Sequence, residues 1–223
     1  MYAQAVRIPP RLRHRGGRRI LSSASEQCAK GCAFPDVQLD CIKYLKLGDP
    51  CCGSGGFFLA AQAFLPDPAN YTLDRSQKEF LKNETFHGNE IVGATFKTAL
   101  MNLYLHNIGD IYGEIPITLG DALLSDPGYR VDYVMTNPPF GKKSSITFTN
   151  EEDEQEEEDL VYNRQDFWTT SSNKQLNFVQ HINTLLKATG KAAVVVPDNV
   201  LFEGAPEKLF VKSYWRLPIF IRF

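Results

Sequence analysis

The chain has 223 residues, a formal net charge of -2 and 43% hydrophobic residues, which suits one cored domain with tails. No apolar run approaches the roughly 18 residues a membrane helix needs, so a membrane-spanning role is not expected. The near-neutral charge balance leaves nucleic-acid binding to be judged from local features.

The five cysteines, Cys28, Cys32, Cys41, Cys51 and Cys52, are odd in number and irregular in spacing. They make a poor disulfide framework and a poor zinc site, with no CxxC repeat and no nearby His pair. Reduced thiols in a cytoplasmic protein are the expectation. Arg7, Arg11, Arg13, Arg15, Arg18 and Arg19 precede the first acid, Glu26. Some transit peptides have this composition. Pro9, Pro10, Gly16 and Gly17 break any amphipathic helix, so residues 1–43 read as a basic, disordered tail.

From about residue 44 to 204, short apolar runs alternate with helical patterns. "KYLKLGDP" predicts a strand ending at Asp49, and "GGFFLAAQAFL" a helix stopped by Pro66. "ETFHGNEI" predicts a second strand. A helix follows with Phe96, Leu100 and Leu103 at i, i+4 and i+7. "EIPITLGDA" and "YRVDYVMTNPP" are the third and fourth strands. The next helix carries Phe178, Val179, Ile182, Leu185 and Leu186 on one face, with Gly190 as its C-terminal glycine. "KAAVVVP" is a fifth strand, apolar throughout, as a strand covered on both faces should be. This alternation predicts an α/β fold with a doubly wound, Rossmann-like, mostly parallel sheet. Such sheets bind ligands beyond the carboxyl ends of their strands. The region 145–165 contains the acidic run "EEDEQEEED" and reads as a solvated loop. Residues 205–223 resist assignment.

Four loops then invite chemistry. After strand one, "DPCCGSGGF" places Asp49 before Gly53, Ser54, Gly55 and Gly56. Glycine permits close backbone approach and unusual φ. The spacing is not the GxGxxG phosphate fingerprint. It suits a cofactor with a charged amine or carboxylate, and equally an ordinary tight turn. After strand two, Glu90 stands where a carboxylate commonly holds ribose hydroxyls, though alone it reads as a surface glutamate. After strand three, Asp121 is placed to accept from an adenine amino group, a weak signal by itself. After strand four comes "NPPF". Proline fixes φ and restricts the residue before it, so Asn137 and the carbonyls of Pro138 and Pro139 are held stiffly outward. That array suits grasping an –NH2 group, and Phe140 offers a face for a planar base.

The ordered set "DPCCGSGGFFLAA", "FHGNEI", "GDALL", "TNPPFG" and "LLKATGKAAVVVPDNVLFEG" resembles class I S-adenosylmethionine-dependent methyltransferases. The whole, together with "NRQDFWTTSSNKQLNFVQHI", resembles the modification subunit of type I restriction–modification systems, an adenine-N6 DNA methyltransferase. The resemblance spans roughly Gly48 to Gly204. It implies that Asp49, Gly53, Ser54, Gly55 and Gly56 line the methionine part of S-adenosylmethionine. Glu90 would then hold the ribose and Asp121 the cofactor adenine. Asn137, Pro138, Pro139 and Phe140 would receive the target adenine, flipped out of double-stranded DNA. The implied partners are a specificity subunit, which reads the DNA, and a restriction subunit.

The ends depart from the family pattern. No "GxFFTPR"-like segment precedes strand one, and "APEKLFVKSYWRLPIFIRF" leaves the pattern after "NVLFEG". These departures raise the alternative of a truncated, non-catalytic remnant. A methyltransferase acting on protein glutamine or RNA adenine is a third reading. It fits less well, because those relatives often carry Tyr at the Phe140 position and lack the "NRQDFW" region.

Overall fold

The computed structural model describes residues 44–139, 145–149, 155–159, 162–195 and 219–222, with the backbone alone for 145–149, 155–159 and 219–222. The basic tail, Cys28, Cys32, Cys41, Phe140 and most of the C-terminal segment lie outside the described residues. In chain order the elements are β1 (Leu47–Asp49), α1 (Gly56–Phe64), α2 (Arg75–Asn83), β2 (Phe86–Glu90), α3 (Gly93–Leu105) and β3 (Ile117–Leu119). They continue with β4 (Val131–Thr136), β5 (Ser145–Thr149), β6 (Gln155–Asp159), α4 (Lys174–Leu185), β7 (Leu186–Val195) and β8 (Ile219–Arg222). No helix among the described residues is long and apolar enough to cross a membrane.

Six strands form one sheet in the order β3-β2-β1-β4-β7-β8, and every pairing in it is parallel. Chain order runs outward through β2 and β3 on one side of β1, then restarts at β4 on the other. The gap between β1 and β4 is therefore the topological switch point, where such sheets open a crevice. The expected doubly wound α/β architecture is the one observed.

Side chains of successive strand residues point to opposite faces, and the buried clusters follow that period of two. On β4 and β7, Met135 and Ala193 join Leu47, Phe58, Phe86 and Leu103 in one cluster, with residues from α1, α2 and α3. Val134, Ala192 and Val194 instead join Leu176, Val179, Ile182 and Leu185 of α4. Helices thus cover both faces of the sheet. Close approach of α1 depends on Gly88 of β2, where an added Cβ would stand 2.8 Å from the Phe58 ring and 2.9 Å from Ile117.

Three sequence expectations change. The last predicted helix stops at Leu185, a turn before Gly190, and the strand begins at Leu186. Gly190 is not a helix cap. It sits in β7 at an irregularity, where Val131 pairs with Leu186 but Tyr133 pairs with Lys191. A Cβ there would lie 3.0 Å from the Lys187 carbonyl and 3.1 Å from that of Asp132, so a side chain would press the two backbones apart by a few tenths of an ångström. Within the predicted acidic loop, Gln155–Asp159 pairs antiparallel with Ser145–Thr149 as a two-stranded sheet. And α2, which the apolar pattern did not reveal, is started by a capping box. Asp74 Oδ1 accepts from the Gln77 amide at 2.8 Å while Gln77 Oε1 accepts from the Asp74 amide at 2.8 Å.

Candidate active site

The four strand ends that the sequence singled out converge. Asp49 ends β1, Glu90 ends β2, Asp121 follows β3 by two residues, and Asn137 directly follows β4. Beyond these ends lies a cavity of about 460 Å³ lined by Glu90, Asp121, Asn137 and Pro139 among the expected residues. That is within the usual size range of small-ligand pockets. Pro50, Cys51, Ile91, Val92, Leu123, Tyr162, Lys174 and Phe178 complete most of the wall.

Gly53, Ser54, Gly55 and Gly56 are not among the residues that line this cavity. Gly53 and Gly55 have φ of 56° and 84°, left-handed conformations that a side chain would strain. The loop is tied down at both ends. Cys52 N–H donates to the Asn89 carbonyl at 2.9 Å, and the Asn102 side-chain amide of α3 donates to the Ser54 carbonyl at 2.9 Å. No side chain caps α1, which starts at Gly56. A Cβ on Gly53 or Gly56 would meet nothing within 4 Å among the described atoms. The loop is thus open on that side.

Asp49 is 2% exposed and stands behind Cys51. Its Oδ1 accepts the Thr136 hydroxyl at 2.6 Å and the Cys51 amide at 3.1 Å. The Thr136 proton is committed to Asp49, so the Cys51 thiol is the donor across the 3.0 Å Sγ–Oγ1 contact. Burial pushes the Asp49 carboxyl up to about 7, offset in part by these hydrogen bonds and reinforced by the nearby Glu90 charge. Burial likewise pushes the Cys51 thiol well up, so it stays protonated and serves as a donor. Asp49 therefore locks β1 to β4 across the switch point, and its charge appears only near neutral pH.

Glu90 is 8% exposed, and its Oε1 accepts the Val92 amide at 2.8 Å. Among the described residues its second oxygen has no hydrogen-bond partner. Asp121 Oδ1 accepts the Leu123 amide at 2.9 Å, and its Oδ2 accepts the Tyr162 hydroxyl at 2.6 Å. Asn137 differs from both. Its Oδ1 is buried on the cavity wall and has no partner among the described residues. An orphaned acceptor of this kind costs roughly 1–3 kcal/mol unless something donates to it.

Pro138 is buried and Pro139 exposed, so of the pair only Pro139 reaches the cavity. Phe140, the expected stacking face, lies outside the described residues. Sequence reasoning did not single out Thr136, Tyr162 or Lys174 as site residues, and it read Phe178 only as a core position. Of these, Tyr162, Lys174 and Phe178 line the cavity. The one available hint was the segment "NRQDFWTTSSNKQLNFVQHI", which carried a resemblance without a role.

A family model described as N-6 DNA Methylase matches residues 39–213. The chain belongs to this family. Over 161 residues this chain is 38% identical to the methylase subunits of the type I restriction enzymes StySPI, from Salmonella potsdam, and EcoKI, from Escherichia coli (strain K12). The match takes in 70% of this chain and 28% of each relative, so the chain spans just over a quarter of their length. The crystal structure of the EcoKI M protein is similar with a TM-score of 0.62 and 34% identity, covering 79% of this chain and 36% of that one. A type I methyltransferase subunit from Streptococcus thermophilus shares the fold at a TM-score of 0.57 and 23% identity, over 86% of this chain and 36% of that one.

The residues present fit the methyl donor that such a family uses. Glu90 has a carboxylate oxygen that could accept from hydroxyls, and Asp121 oxygens that could accept from an amino group, both of which an adenosyl methyl donor would present. Ile91, Val92 and Leu123 offer apolar surface to a flat purine. The absence of a phosphate-type glycine fingerprint suits a donor that carries no phosphate.

Proposed function

We propose that this chain is the catalytic core of an S-adenosylmethionine-dependent DNA methyltransferase acting on adenine N6. It would serve as the modification subunit of a type I restriction–modification assembly, beside a specificity and a restriction subunit. One observation carries the reading. The Asn137 Oδ1 is a buried acceptor without a partner among the described residues, held by two prolines on the wall of a cavity shared with Glu90 and Asp121. An exocyclic amino group supplies the missing donor.

When bound, the cofactor supplies a methyl group on a positively charged sulfur. The chain's part is to make a poor nucleophile available. The N6 lone pair of adenine is delocalised into the ring. Asn137 Oδ1 accepts one N6 hydrogen and a backbone carbonyl of the Pro138–Pro139 pair, of which Pro139 lines the cavity, accepts the other, which favours a pyramidal nitrogen. Both acceptors are fixed before substrate arrives, so little reorganisation is needed. No strong general base is required. In a duplex N6 faces its pairing partner, so the base must leave the stack to reach the cavity. Lys174 is the cation on the wall and begins α4 directly after the Asn173 cap, where positive charge from both sources suits the phosphate flanking that base.

Glu90 holds the ribose and Asp121 the cofactor purine. The glycine loop and the uncapped start of α1 face the amino-acid end, with Asp49 setting the loop's shape from behind. The remnant alternative rested on the chain ends, and nothing among the described cavity residues favours it.

The test is product identity. The chain, with its specificity subunit and duplex DNA, is incubated with methyl-labelled S-adenosylmethionine, and the DNA is digested to nucleosides. The label is expected on N6-methyl-deoxyadenosine. Label on cytosine or on protein glutamine would contradict the assignment.

A further inference from the structure

The segment from Tyr162 to Thr184 contributes far more than a cavity wall, and its role rests on the cofactor reading above. Tyr162 is 6% exposed and donates its hydroxyl to Asp121 Oδ2 at 2.6 Å. Its ring packs with Leu123, Phe167 and Phe178 in a small buried cluster against Cys51. Two residues on, the Arg164 Nη1 donates to the Leu123 carbonyl at 3.2 Å. The loop that carries Asp121 and Leu123 is thus held twice from the same segment.

That segment is itself fixed. Arg164 Nε and Nη2 both donate to the Asp166 carboxylate, at 3.0 and 2.5 Å, and the guanidinium lies 4.3 Å from the centre of the Phe167 ring. Arg164 Nη1 also stands 3.0 Å from His181 Nδ1. A guanidinium has no acceptor, so Nδ1 must be the bare, accepting nitrogen of a neutral imidazole. Burial and the Arg164 charge push His181 down to about 4, which keeps it neutral at ordinary pH. Asp166 in turn accepts the Thr184 hydroxyl of α4. The result is a rigid strut between α4 and the Asp121 loop.

We propose that Tyr162 is a positioning residue for the cofactor purine. It fixes the Asp121 carboxylate, while the Arg164–Asp166–His181–Thr184 cluster holds Tyr162 in place. Each carboxylate oxygen has two acceptor sites. Asp121 therefore keeps capacity for an amino group while both oxygens are already oriented, one by the Leu123 amide and the other by Tyr162. Orienting the acceptor in advance removes an ordering cost that binding would otherwise bear.

Tyr162→Phe removes the hydroxyl and keeps the ring. Losing a hydrogen bond to a charged group should weaken S-adenosylmethionine and S-adenosylhomocysteine by about tenfold alike. kcat at saturating cofactor should hold, with KM for cofactor rising by the same factor. The sharper readout is discrimination. The unmodified chain should prefer S-adenosylhomocysteine over S-inosylhomocysteine, which has a carbonyl in place of the amino group. Tyr162→Phe should erase much of that preference. In a cycle with Asp121→Ala, the second substitution should add little, a result that survives a shared loss of stability. Unchanged affinity and preference in Tyr162→Phe would overturn the proposal, as would equal weakening of both analogues with additive effects. Failure of the unmodified chain to bind S-adenosylhomocysteine at all is a distinct result. It would remove the cofactor reading itself and this proposal with it.

Discussion

Replacing Asn137 by alanine is expected to lower methyl transfer at saturating cofactor by about 10²–10³-fold, the usual cost of deleting one preorganised polar group from a reaction centre. Cofactor affinity should stay nearly unchanged, because the proposed function gives Asn137 to the incoming amino group and Glu90 and Asp121 to the cofactor. The reason lies in the geometry. Asn137 Oδ1 is buried without a partner among the described residues, so in the free protein it gives nothing to stability and is held in reserve. For the same reason Asn137→Ala should not destabilise the fold. Asn137→Asp keeps an acceptor at that position and should retain more activity than alanine. Single-turnover transfer with a preformed cofactor complex measures the effect. Equal loss of cofactor binding would mean that Asn137 belongs to the cofactor's part of the cavity.

The second large effect is on stability. Asp166→Ala should cost about 2–3 kcal/mol, read as a lower denaturant midpoint, because it strands a charged Arg164 whose side chain is 6% exposed. The estimate sits below the range for fully buried pairs because the Asp166 side chain is 31% exposed. The pH dependence has a definite sign. Arg164 hydrogen bonds hold the Asp166 carboxyl down at about 2, against 3.8 for the free residue. Its contribution is therefore full above about 4 and is lost as pH falls towards 2. Pairing Arg164→Met with Asp166→Leu removes both charges and should recover most of the loss. A cost under about 0.5 kcal/mol for Asp166→Ala would show the pair to be solvent-screened.

Two other buried groups pull stability in opposite directions with pH. His181, down at about 4 against 6.5, loses its contribution as pH falls from 6.5 towards 4, since the unfolded chain binds that proton first. Asp49, up at about 7 against 3.8, does the reverse, with a contribution that is lost as pH rises from about 4 to 7. Their partial cancellation between pH 4 and 7 flattens the profile there.

Five strands, β1 to β4 and β7, were legible because each is closed by a glycine, proline or acid, and the four site loops fall at those closures, whereas β5, β6 and β8 were not expected. Glu90, Asp121 and Asn137 could be named because position after a strand decides where a side chain goes in a parallel sheet. What Asp49 faces could not be read, since Thr136, its partner, is 87 residues away. Tyr162 was hidden for the same reason, with 41 residues separating it from Asp121. The helix α2 escaped because only Leu81 of its nine residues is buried, and its capping box was its one local mark. Gly190 misled because a glycine ending a helix and a glycine in a strand bulge look alike until the helix end is known. The resemblance named the "NRQDFW" region, but only the packing of Arg164 against His181 and Asp166 shows why those residue types occur together.

The central claim is that the cavity at the β1–β4 switch point holds S-adenosylmethionine. Calorimetric titration of the folded chain tests it most directly, with Glu90→Ala and Asn137→Ala alongside. One site per chain is expected, lost or strongly weakened in Glu90→Ala and kept in Asn137→Ala. Affinity should be higher at pH 8 than at pH 6, because Asp49 ionises near 7 and its charge, with Glu90 beside it and the Cys51 and Cys52 thiols protonated, favours a cationic ligand. A folded chain that binds no S-adenosylmethionine, or binds it equally well without Glu90, would contradict the account.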